Sequence, residues 1–259
     1  MMDSAVFRNL VRHEFRNKGS WRKQSRIRVS RGWWLAYFLI ILTAVVGTMT
    51  YFAINNELQI NSIWYVTMGF PYMVFFWGFG TVKREWENDT YGWWLTMPFP
   101  RAELITAKWL GVWLKLLLGI VFAFVLLSAY VFVLSLALPA YSLTDVGSFM
   151  IAGIDWLTLV AGFSPLIISL GMMMSIIQNT SLRPISPVLW VVFMSGLSLL
   201  FQLPDSVISE SMLQEGMGEY QAEWFPYSWE LPIVMGVSWI LTYAALRFQG
   251  YLLEKKLEI

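Results

Sequence analysis

The chain has no cysteine and a single histidine, His13, among its 259 residues. The first absence removes disulfides, thiolate-bound zinc, iron–sulfur clusters and thiol nucleophiles, and the second removes any clustered-histidine metal site. Charge is also scarce. Only 14% of residues are Asp, Glu, Lys or Arg, where a soluble domain carries about a quarter. The phosphate-cradling G-x-x-x-x-G-K-[ST] loop is missing, as are G-x-S-x-G and H-E-x-x-H, so the chain has no nucleotide loop, nucleophile elbow or zincin helix of those kinds. The apolar stretches hold scattered Ser and Thr and no convergent Ser–Lys, Asp–Asp or His-based pair, which argues against an intramembrane hydrolase.

What fills the sequence instead is apolar: 57% hydrophobic and 17% aromatic, with positive mean hydropathy. These residues come in blocks of about 20, the length of helix that crosses a bilayer core. Trp and Tyr suit the membrane interface, where an apolar ring and a polar handle are both accommodated, better than they suit a nucleic-acid stacking surface. The expected fold is an all-α membrane protein, a single bundle of six transmembrane helices over residues 33–250. Its spans fall at about 33–54, 62–82, 109–138, 150–178, 185–203 and 231–248. The first is roughly 33 Å long as a helix, with a basic lead too extended for a cleavable signal peptide. Pro71 is expected to kink the second, which carries the aromatic wall Tyr72, Phe75, Phe76 and Phe79.

Charge segregation orders these spans. Nine Lys and Arg, from Arg8 to Arg31, lie in segment 1–32 against Asp3 and Glu14. Val6, Phe7, Leu10, Val11 and Phe15 recur at helical spacing there, describing an amphipathic helix at headgroup level that anchors to anionic lipid rather than to nucleic acid. With six crossings, all 18 Lys and Arg fall on one side, which places both termini in the cytoplasm of a multi-pass cell-membrane protein. The outer links carry only acids: Glu57, Asp145, and the acidic segment 204–230. The tail 251–259 returns inside. Asp155 is read as an interfacial carboxylate near the outer end of the fourth span; a proton or cation site is the alternative.

The long charged interval between two apolar segments is 83–108. Glu85, Glu87 and Asp89 are expected to project into the cytoplasm at the end of the second span. Trp93, Trp94 and Leu95 suit the interface, Pro98 and Pro100 break the chain, and a helix restarts at Arg101. A short helix–turn–helix anchored at both ends can transmit a push.

The run Arg84-Glu85-Trp86-Glu87, followed by Thr90, Leu95, Pro98, Arg101 and Lys108, resembles the R-E-x-E-x-G-T…L…P…R…K signature of the permease subunits of type-2 ABC exporters. Six spans, a basic connecting helix before them and a helical outer segment between the fifth and sixth extend the resemblance over nearly the whole chain. Asp89 stands where the family commonly has Gly, and Gly92 follows shortly after. The resemblance implies that 83–108 forms a cytoplasmic coupling helix docked on a separate ATP-binding cassette subunit, which binds the ATP and Mg; this chain itself carries no cofactor, no metal and no catalytic residue. It further implies that Arg84, Glu85, Glu87 and Thr90 face the ATPase or stabilise the hinge, with Arg101 pairing a nearby carboxylate. A second permease copy, identical or related, would complete a path lined by Tyr72, Phe75, Phe76, Phe79, Met194 and Phe201. The small outer links look most like bacterial exporters of short amphipathic peptides, among family members that also move drugs and lipids. Two other classes stay open: a non-transporting immunity or sensor protein that binds a peptide at the outer surface, and a secondary carrier using Asp155.

Overall fold

The computed structural model describes residues 3–16, 30–199 and 229–255, and these form an all-helical chain. Helix α1 is Ser4–Arg16, α2 Arg31–Ile54, α3 Phe70–Glu87, α4 Tyr91–Thr96, α5 Arg101–Ala137, α6 Leu143–Ile177, α7 Ser186–Leu199 and α8 Glu230–Lys255; a 3₁₀ helix, Ile60–Thr67, precedes α3. Four helices are long and apolar enough to cross a membrane: Gly32–Ile54, Arg101–Ala137, Leu143–Ile177 and Glu230–Lys255. The molecule is a membrane protein on that ground.

Two of the six predicted spans differ in kind from these four. The second is not a continuous kinked helix over 62–82. The 3₁₀ helix ends at Thr67, and α3 starts at Phe70 with Pro71 in its first turn. Proline has no N–H to donate to the preceding turn, but at a helix start that N–H has no intrahelical acceptor to lose. Pro71 therefore begins a helix instead of bending one. The fifth predicted span is represented by the 14 residues of α7; Phe201 and nearly all of the acidic segment 204–230 lie outside the described residues. Elsewhere the boundaries shift. Helix α5 runs unbroken from Arg101, so the second half of the charged interval and the third span are one 37-residue rod. Helix α6 starts at Leu143 because Ser142 and Asp145 form a capping box: Asp145 N–H donates to Ser142 Oγ at 3.2 Å and Ser142 N–H to Asp145 Oδ2 at 2.7 Å. Asp145, read from sequence as a link residue, is thus a helix cap.

Helix α6 is the hub. It packs against α3, α5 and α8, and backbone meets backbone where it crosses α3. A Cβ on Gly78 would run into the Ile168 carbonyl, and one on Gly171 into the Phe75 carbonyl, so only glycine permits this approach. Pro165, inside α6, cannot donate to the Ala161 carbonyl; the Ser164 hydroxyl donates to it instead at 2.8 Å. The helix passes through with its freed acceptor satisfied, and the Pro165 carbonyl accepts the Trp109 indole N–H from α5 at 3.0 Å. On the other flank the Gln249 amide of α8 donates to the Ser169 carbonyl at 2.9 Å.

Tryptophans and a tyrosine pin the far end. Trp64 of the 3₁₀ helix is fully buried over Gly153 of α6; its indole N–H donates to the Phe149 carbonyl at 3.0 Å while its ring stacks on Phe149 at 4.7 Å. Trp156 donates to the Thr67 hydroxyl at 2.7 Å. The Tyr141 hydroxyl lies 3.3 Å from the Ala53 carbonyl and 3.2 Å from that of Leu58. Asp155 is buried within α6. Its neighbours in sequence, Trp156 and Leu157, are buried as well, so this part of α6 is enclosed by protein.

Candidate functional site at the basic end of the bundle

The charged interval gathers around one cation, Lys108, which the sequence reading noted only as the last position of the run that begins at Arg84. Lys108 sits two turns into α5 with its side chain 2% exposed, and its ammonium donates to Glu85 Oε1 of α3 at 2.6 Å and to Glu14 Oε1 of α1 at 2.8 Å. The Trp94 ring of α4 covers it, 5.2 Å from the ammonium. One buried lysine therefore joins four helices. A buried cation is tolerable when opposite charge and hydrogen bonds surround it, and two carboxylates plus an aromatic face supply both.

Local geometry aims Glu85 at this centre. Helix α3 ends in a Schellman motif: Thr90 N–H donates to the Glu85 carbonyl at 2.9 Å and Asp89 N–H to that of Trp86 at 3.1 Å. The motif needs a left-handed residue just past the cap, and Asp89 takes it with φ 56°. Aspartate is among the few side chains that visit this region at modest cost. The turn brings the Thr90 hydroxyl onto Glu85 Oε2 at 2.5 Å. Burial raises the Glu85 pKa, but the charge of Lys108 and hydrogen bonds from Lys108 and Thr90 outweigh it, and the carboxyl sits below its ordinary range.

The other residues of the predicted coupling set are dispersed around this centre. The carboxylate of Glu85 is turned inward instead of projecting outward. Glu87 forms an i, i+4 ion pair with Lys83 at 3.3 Å. Arg84 donates to the Gly80 carbonyl at 3.0 Å and to the Thr81 hydroxyl at 3.4 Å, both on its own helix. Arg101 is not joined to a carboxylate among the described residues, and its Nη1 is buried without a hydrogen-bond partner. At the tip of the interval Trp94 and Leu95 are packed inward, whereas Trp93 is 84% exposed.

Of the predicted path residues, Phe75, Phe76 and Phe79 of α3 form an aromatic seam with Trp190 of α7. Phe75 is fully buried, 5.5 Å from the ring of Trp190 and 6.2 Å from that of Phe193. Phe79 also meets Trp190, at 5.5 Å. Phe76 is about half exposed, and Tyr72 and Met194 are partly buried against the core. Trp190, which the sequence reading did not single out, holds this seam together.

Glu14 and Lys108 were legible only in part. Glu14 continues the apolar stripe of α1, one turn beyond Leu10, and a carboxylate on an apolar stripe asks for a buried cation. Which cation answers, 94 residues away, no local pattern says. Helix α1 is brought there by Gly111 of α5, where a Cβ would lie 2.9 Å from Glu14 Cβ. Among the described residues no group of three or more His, Asp or Glu is placed to hold a metal ion. Comparison with protein families, curated proteins and solved structures finds no match to this chain.

Proposed function

We propose that this chain is the transmembrane permease subunit of an ATP-driven ABC exporter, moving an amphipathic substrate such as a peptide, drug or lipid. In this reading the basic end lies in the cytoplasm with both termini. The 3₁₀ helix with α3, and α7 with the residues that follow it, complete six crossings, and a second permease copy closes the path along the α3–α7 aromatic seam. A separate ATP-binding cassette subunit supplies ATP and Mg.

The observation that supports this most is the Lys108 centre. An element that transmits force has to be fixed to the helices it moves, and Lys108 fixes the interval to α1, α3 and α5 together. Trp93 stands exposed at its tip, as a large aromatic anchor for a partner would. The test is isolation of the chain from its native membranes in mild detergent. A nucleotide-binding chain should accompany it, with ATP hydrolysis that an amphipathic substrate stimulates; isolation of the chain alone, with substrate uptake intact, would sink the reading.

The burial of Asp155 favours one second reading, an ion-coupled carrier, because an enclosed carboxylate in a spanning helix is the usual mark of a cation or proton step. Asp155→Asn would then abolish ion-dependent uptake with no ATPase present. An ATP-driven exporter would keep its nucleotide dependence in that variant.

A further inference from the structure

Helix α2 stands apart from the bundle over most of its length. Every residue from Gly32 to Thr48 is exposed except Ala36, which is partly buried, a stretch of about 25 Å at helical rise. Among the described residues no hydrogen bond, ion pair or ring contact joins this stretch to another helix. The last turns are different. Met49 packs against the core, Ala53 is fully buried, and the Thr50 hydroxyl lies 3.0 Å from that of Tyr130 on α5. The Tyr141 hydroxyl, from the link after α5, reaches the Ala53 and Leu58 carbonyls. Beyond them the helix closes in a Schellman turn: Asn56 takes the left-handed position with φ 57°, and Glu57 N–H donates to the Phe52 carbonyl at 2.9 Å. Among the described residues, the fastenings of α2 are therefore at one end. Helices α2 and α5 are both long enough to cross a bilayer and meet at their C-terminal ends, so their N-terminal ends emerge together on the side of the Lys108 centre.

We infer that α2 swings about this pin, and that the gap its N-terminal half opens against α5 admits acyl chains sideways from the leaflet at the basic end. The walls suit such an occupant. Phe38, Ile41 and Leu42 lie twelve, nine and eight residues before Thr50, and Leu118, Val121 and Phe122 the same numbers before Tyr130; all six are exposed and apolar. Nothing in hydrocarbon holds such a rod against its neighbour. Apolar contact between helices gains little over contact with lipid, and what selects a neighbour there is close approach at small residues and interhelical hydrogen bonds. The N-terminal half of α2 has neither: Gly47, the glycine nearest the pin, has nothing within 4 Å of where a Cβ would stand. Tilting a span is a modest cost to the bilayer. Trp33 and Trp34, both more than half exposed, hold the free end at headgroup depth while it moves sideways. The swing does not depend on the exporter reading: it would serve a carrier or a receptor for an apolar molecule equally well.

The chain has no cysteine, so spin labels can be placed in pairs without other changes. The test uses the full chain in phosphatidylcholine nanodiscs, labelled at Phe38→Cys/Leu118→Cys or at Val46→Cys/Leu126→Cys, all exposed positions, with distances read by dipolar EPR. The lever arm from the pin is twelve residues in the first pair and four in the second. Beyond the width that the labels themselves contribute, the distance distribution should therefore be about three times as wide in the first pair. Thr50→Val/Tyr141→Phe, which removes the hydroxyls of the pin, should widen the second pair as well. If that variant does not fold, the comparison of the two pairs in the parent decides the matter. Leu118→Cys labelled alone should collide more with oxygen, which dissolves among acyl chains, than with a water-soluble nickel chelate. Equal widths in the two pairs, or a narrow first pair, would overturn the swing, since either marks a helix held along its whole length by α5 or by another chain. More frequent collision with the chelate would overturn the acyl-chain assignment.

Discussion

Helices α2 and α6 have the same peak mean hydropathy, 2.0, yet 6% of that window is buried in α2 and 67% in α6. Apolarity therefore places both in a membrane and says nothing about which one other helices will surround. The difference lies in small and polar residues. Helix α6 carries Gly153, Gly162 and Gly171, each in contact with another helix or the 3₁₀ segment, and buries Asp155, Ser164, Ser169 and Ser175. Helix α2 has Gly47, with nothing within 4 Å of where a Cβ would stand, and touches the bundle near its end, where the Thr50 hydroxyl lies 3.0 Å from that of Tyr130. In lipid, close backbone approach and interhelical hydrogen bonds select neighbours, because burying one more leucine gains little over leaving it in acyl chains.

The largest expected effect comes from the ion centre that ties the packed helices together. Lys108→Met leaves two enclosed carboxylates facing each other and should cost about 3–5 kcal/mol in a reversible unfolding titration in micelles. No substitution of comparable size on the membrane-facing side of α2 should approach that. The α3–α6 crossing is next: Gly171→Ala forces a methyl into the Phe75 carbonyl and should cost about 1–3 kcal/mol. Gly47→Ala on α2 should stay within about 0.5 kcal/mol of the parent. An equal loss in both glycine variants would erase the distinction between the two helices.

Acid should act on the packed side too. Because the folded Glu85 carboxyl is held below its ordinary range, its contribution is complete above about pH 4.3, the unfolded value, and is lost as pH falls through the lower folded value. The unfolding midpoint of the parent should fall below that pH, and Glu85→Gln should reduce the fall. A small loss is expected of Thr50→Val, which removes the α2–Tyr130 hydrogen bond and should cost about 0.6 kcal/mol.

Local pattern carried the sequence reading where a segment's own residues decide its state. The amphipathic spacing of Val6 to Phe15 is α1, and the apolar blocks at 33–54, 109–138, 150–178 and 231–248 correspond to the four helices able to span. Boundaries failed where one residue has two uses. Pro71 starts a helix where a kink was expected, and the Ser142–Asp145 cap lengthens α6 into what was read as a link. The Lys108 centre was out of reach for a different reason. Its partners are 23 and 94 residues away, and the choice of partner depends on Gly111 letting α1 approach α5. Asp89 lies between these cases: its place in the charged run was visible, but the left-handed turn it takes, shown by its positive φ, was not.

Trp93 offers the most direct test that the interval 83–108 is a docking element. It is 84% exposed, so Trp93→Ala combined with Glu87→Lys should leave the unfolding midpoint of the isolated chain within a few degrees of the parent. Docking predicts that this double variant, isolated from native membranes, loses its nucleotide-binding partner and the substrate-stimulated ATP hydrolysis that comes with it. Retention of both at parental levels by a folded double variant would contradict it.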